Sequence, residues 1–85
     1  MCTMISEVAA IAGGGKGPQG WFAVNRLSVG FDHPTFVQLE HAITLDFLDD
    51  RSGPDARVAI ELTPDSARRL IATLQTALER GKDVE

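Results

Sequence analysis

Apolar residues near the C-terminal end fall at Ala67, Leu70, Ile71, Leu74, Ala77 and Leu78. These positions line one face of an α-helix, with polar residues opposite. Local signals agree with the periodicity. Thr63 is a good N-cap and Pro64 suits the first helical position. Asp65 lies in the first turn, where the helix dipole favours an anion, three and four residues before Arg68 and Arg69. Gly81, flanked by Arg80 and Lys82, is a natural stop. A helix of this kind has to bury its apolar stripe against another element.

Upstream the period changes from 3.6 to 2. In 57–62, Val58, Ile60 and Leu62 share one face, and Arg57, Ala59 and Glu61 the other. In 41–48, His41, Ile43, Leu45 and Phe47 alternate with Ala42, Thr44 and Asp46. In 26–33, Leu27, Val29, Phe31 and His33 alternate with Arg26, Ser28, Gly30 and Asp32. Residues 7–12 read as a further strand, blurred by alanines. Segment 49–56 holds Asp-Asp, Ser-Gly and Gly-Pro, the chemistry of a hairpin loop. Segment 13–20, rich in glycine, reads as a flexible turn between strands. The fold class predicted is α+β: one domain, 1–85, with a small antiparallel sheet of three to four strands and the C-terminal amphipathic helix packed on one face.

Matching the apolar faces of 26–33 and 41–48 selects one register: Phe31 opposite Ile43, Val29 opposite Leu45, Leu27 opposite Phe47. A one-residue slip would turn every side chain over. The same register sets His33 opposite His41, with Cβ atoms about 4.5–5.5 Å apart.

Composition narrows the class. The chain has 85 residues, net charge −4, 44% apolar residues and one cysteine. That is too apolar for a disordered chain. It is too acidic for a non-specific nucleic-acid binder, so no nucleic-acid partner is expected. No run is long enough for a membrane span. One cysteine excludes an internal disulfide framework. The first twelve residues lack a basic start and contain Glu7, so no secretory signal is expected and a cytoplasmic location is the default. A chain this short buries only about 60–65% of its unfolded surface. Small domains commonly add a metal or a second subunit to close their structure.

Candidate chemistry centres on the two histidines. Imidazole titrates near neutrality and is a common metal ligand. His33 and His41 are therefore candidate catalytic residues, one acting as general base, with Cys2 as nucleophile and Asp32 nearby. They are equally candidate metal ligands, with Cys2 as third ligand, Asp32 or Glu40 as oxygen alternatives, and a divalent transition metal such as zinc as cofactor. The plain alternative is an ordinary hydrogen-bonded pair at two strand ends. If the initiator methionine is removed, Cys2 presents an amine and a thiol on adjacent carbons, a pair that chelates metals and reacts with aldehydes; otherwise it is a small apolar residue. Residues 13–20 look like a phosphate loop, but Lys16 is followed by Gly17 and Pro18 rather than Ser/Thr and a helix. An anion nest near Lys16 is the residual functional reading. Trp21 and Phe22, joined by Phe36 and Val37, read as core edge, pocket wall or docking patch. Asp46 and Arg57 read as an ion pair, with a substrate contact as the alternative. Asp49, Asp50 and Asp55 lack a regular Ca²⁺ spacing and read as turn residues.

Met1-Cys2-Thr3, Gly17-x-x-Gly20-Trp21-Phe22, Asp32-His33-Pro34, Glu40-His41-Ala42, and 57–62 followed by Ser66-Ala67-Arg68 together resemble a family of small uncharacterised actinobacterial proteins. The resemblance covers nearly the whole chain, with Met4 standing where that family has tyrosine. It implies a stand-alone bacterial cytoplasmic protein and no particular reaction, and it draws attention to Cys2, Asp32, His33 and His41. Two functions are carried forward. One is a metal or small-molecule site at the His33/His41 end, with proton transfer, hydrolysis or carbonyl addition as its chemistry, completed by a second subunit. The other is a non-catalytic accessory module that docks on a larger protein or self-associates.

Overall fold

Strict alternation of apolar and polar residues is realised as a meander of four antiparallel strands. The computed structural model describes residues 5–53 and 56–84. The strands are β1 (Ile5–Gly17), β2 (Gly20–Asp32), β3 (Ala42–Leu48) and β4 (Arg57–Leu62), and the helix is α1 (Pro64–Gly81). Sheet order follows the chain, β1-β2-β3-β4. The fold is thus α+β, as the patterning predicts.

The β2–β3 register is the one that the apolar matching selects: Phe31 faces Ile43, Val29 faces Leu45 and Leu27 faces Phe47. β4 continues the same face, with Leu45 against Ile60 and Phe47 against Val58. Leu45, at the middle of the sheet, is buried, as are Val24, Ala42 and Ala56.

The first hairpin differs from expectation. Residues 13–17 are strand rather than turn, paired with 20–24, and the turn itself is only Pro18–Gln19. The register shifts between Ala10 and Gly13, so a bulge bends this long arm. Glycine is required at Gly15 for packing rather than for a phosphate: a Cβ there would meet Phe22 Cζ at 3.1 Å and Val24 Cγ2 at 3.2 Å. Gly20 closes the turn at φ +109°, a conformation that L side chains rarely adopt. Backbone committed to a β ladder cannot also converge on an anion, so no nest forms near Lys16.

At the helix, Thr63 Oγ1 accepts from the Ser66 amide at 3.1 Å, Pro64 opens the first turn, and Arg68 pairs with Asp65 at 2.8 Å. The apolar stripe is not covered. No described residue of α1 is buried, and Ile71, Leu74 and Leu78 are 56, 54 and 73% exposed. A single residue, Thr63, joins β4 to α1. The helix touches β3 and β4 lightly.

Leu45→Ala should cost about 2–4 kcal/mol of stability in urea unfolding, because it empties the centre of the sheet. Gly20→Ala should cost roughly 1–2 kcal/mol in the same measurement. Backbone strain is the whole cause there, because the added methyl would find nothing within 4 Å.

Candidate functional site

The β2–β3 ladder ends at Asp32 and Ala42, and the next residues on the apolar parity are His33 and His41. Their rings lie 4.9 Å apart, inclined by 27°. His41 also stacks on Phe31, at 5.3 Å and 4°. A column of three rings, Phe31, His41 and His33, therefore closes this end of the sheet.

The connection 33–41 is held at two points. At its mouth, His33 Nδ1 lies 2.7 Å from the Glu40 carbonyl oxygen. A carbonyl only accepts, so Nδ1 carries the proton and the neutral ring has its lone pair on Nε2. Asp32 Oδ1 accepts from the His33 amide at 2.7 Å. In the middle, the Glu61 carboxylate accepts three successive amides: Thr35 at 2.6 Å, Phe36 at 2.7 Å and Val37 at 3.0 Å. These amide hydrogen bonds hold the Glu61 carboxyl below the usual glutamate range. Glu61 lies opposite Thr44 on the polar face, which puts it beneath the loop.

Between this loop and the polar face lies a cleft of ≈ 590 Å³, whose lining includes His33, Thr35, Phe36, Thr44, Asp46 and Arg57. Arg57 Nε donates to Asp46 Oδ1 at 2.6 Å, the expected ion pair. The terminal nitrogens of Arg57 take no partner among the described residues.

The structure thus brings His33 and His41 together and sets Asp32 beside them as a local backbone cap. Cys2 lies outside the described residues. As they stand, nearly parallel rings direct their in-plane lone pairs side by side rather than toward one point. Among the described residues no group of three or more His, Cys, Asp or Glu could hold a metal ion. Trp21 and Phe36, 74 and 88% exposed, do not share a patch. Trp21 is at the hairpin tip and Phe36 is beyond the other end of β2, a strand spanning roughly 40 Å. Asp49 is a buried loop organiser, accepting from Ser52 Oγ at 2.7 Å and the Arg51 amide at 3.0 Å. The Ser52 hydroxyl, first among these donors, keeps its carboxyl below the usual range. Asp55 lies outside the described residues. Sequence reading placed Glu61 on the polar face but gave it no role. Its partners are amides 24 to 26 residues away, which no local pattern signals.

In class this is a small α+β domain, a meander sheet with one C-terminal helix and a loop-bounded cleft. The chain belongs to the family described as a family of unknown function (DUF6295), matched over residues 1–85. No curated protein and no solved structure matches it. No helix among the described residues is long and apolar enough to cross a membrane.

Glu61→Gln should speed amide hydrogen exchange at Thr35, Phe36 and Val37 while leaving the β2–β3 ladder protected. Since the folded Glu61 carboxyl titrates below its unfolded value, its contribution is complete above the unfolded pKa and is lost as pH falls through the lower, folded one. Exchange at these three amides in the wild type should therefore lose its excess protection on acidification through that window, and Glu61→Gln should show no such step.

Proposed function

We propose that the chain binds a small carboxylate-bearing molecule in the cleft beneath the 33–41 loop, with His33 as the group that exchanges a proton with it. The observation that supports this most is the fixed tautomer of His33. Its Nδ1–H is held by the Glu40 carbonyl, which leaves Nε2 as a base on a ring that lines the cleft. On taking a proton from an acidic O–H, N–H or C–H of the ligand, the ring becomes imidazolium, and the same carbonyl stabilises it. Arg57 supplies terminal N–H donors in the fork geometry that suits a carboxylate, while Asp46 holds the other side of its guanidinium. Asp46 offsets the charge of Arg57, and the Glu61 carboxylate oxygens are turned to the loop amides rather than left free. Proton transfer is the chemistry supported first; hydrolysis and carbonyl addition would need a nucleophile such as Cys2. Location in a bacterial cytoplasm belongs to the same reading, since a lone thiol stays reduced there.

Titration of the full chain with acetate, pyruvate and lactate, followed by imidazole and guanidinium ¹⁵N signals, tests the proposal. Saturable shifts at His33 and Arg57 are expected, with affinity about tenfold weaker in Arg57→Lys, or ~1.4 kcal/mol. Absence of saturable shifts in the wild type, or equal binding by Arg57→Lys and His33→Gln, overturns it. Stoichiometric zinc in purified protein, lost in both His33→Ala and His41→Ala, would replace the base by a metal ligand.

A further inference from the structure

We propose that the chain is a homodimer in which the α1 stripe of each copy covers the apolar sheet face of the other. The proposal rests on α1 and the apolar face of the sheet, and stands whether or not the polar cleft on the other face binds a carboxylate.

The first observation is one of area. The chain exposes 6780 Å². A folded monomer of 9.2 kDa is expected to expose about 4,900 Å². The surplus, roughly 1,800 Å² per copy, is the amount an obligate homodimer of ordinary size buries on each side. The radius of gyration agrees: it is 14.5 Å, where a closed domain of this length has about 12 Å.

The second observation is a pair of apolar surfaces of complementary shape. On α1, Leu70, Ile71, Leu74 and Leu78 are 38 to 73% exposed and form one continuous stripe. On the sheet, Ile11, Val24, Phe47, Val58 and Ile60 line a mostly apolar cleft of ≈ 400 Å³ between the bent β1–β2 arm and β3–β4. Ile60 there is 40% exposed. One surface is a convex helix stripe and the other a concave sheet face, and each copy carries both. That is the self-complementarity a two-fold interface requires.

The third observation is that the chain's own sheet leaves the stripe uncovered: no described residue of α1 is buried, and Ile71, Leu74 and Leu78 are more than half exposed. Alternation leaves Thr44, Asp46, Arg57 and Glu61 on the opposite face, so dimerisation does not close the polar cleft.

Sedimentation equilibrium of the full chain should return twice the 9.2 kDa chain mass at micromolar concentration. Ile71→Glu and Leu74→Glu should weaken association at least tenfold and retain the far-ultraviolet circular dichroism spectrum, because both side chains are more than half exposed in the single chain. A wild-type sample of mixed isotope labelling, needing no substitution, should show interchain nuclear Overhauser contacts from the Leu74 and Ile71 methyls to Val58 or Ile60. A single-chain mass overturns the proposal, whatever else the stripe retains from a lysate. So does an assembly whose mass both glutamate variants leave unchanged, or one whose Leu74 contacts are all within a chain.

Discussion

The pairing of β2 with β3 is the constraint on which the rest of the molecule depends. Three apolar pairs, Phe31–Ile43, Val29–Leu45 and Leu27–Phe47, hold one register. A slip by one residue would carry this whole set to the polar face. The register buries Leu45 and Ala42 and delivers His33 and His41 to the same end of the sheet. Through β4 it also sets Glu61 opposite Thr44, within reach of the amides of the loop between β2 and β3. The candidate site is therefore a consequence of core matching. The polar residues that touch the cleft include His33, Thr44, Asp46 and Arg57, and apolar pairs on the other face put them there.

The site is stiffened from below rather than enclosed. A carboxylate that gathers three consecutive amides acts as a clamp on a loop that otherwise has few apolar anchors, since Phe36 points to solvent. His33 closes the mouth of that loop and gains a defined tautomer in doing so. Loop order and base chemistry are thus linked through one side chain: releasing the Glu40 contact would loosen the loop and free the tautomer together.

Much of this was legible in the chain, and the legible parts share a cause. Period-two alternation predicted the faces of β3 and β4 and the β2–β3 register; the Thr63 cap and Pro64 predicted the start of α1; opposed strand ends predicted the histidine pair. Each is a short-range pattern or follows from one by matching. What escaped has a physical reason in each case. Residues 13–17, four of them glycine, look like a turn because glycine lacks strand propensity, yet they form strand, and Phe22 and Val24 pack over Gly15. Glu61 reads as any polar residue on a solvated face, because its partners belong to a distant loop. Asp49 reads as a solvated turn residue, although it is buried by the donors it organises.

By itself the sequence determined α1, β3, β4 and the pairing of the second half of β2 with β3, because alternation and helical periodicity are local and register follows from matching apolar sets. It also determined that α1 would carry an apolar stripe. Only the tertiary structure decided where that stripe goes. A single residue joins β4 to α1, and the direction in which the helix leaves the sheet, not its hydrophobicity, determines whether the stripe meets its own sheet. The same holds for the loop clamp and the cleft, which exist only where residues far apart in the chain are brought within hydrogen-bonding distance.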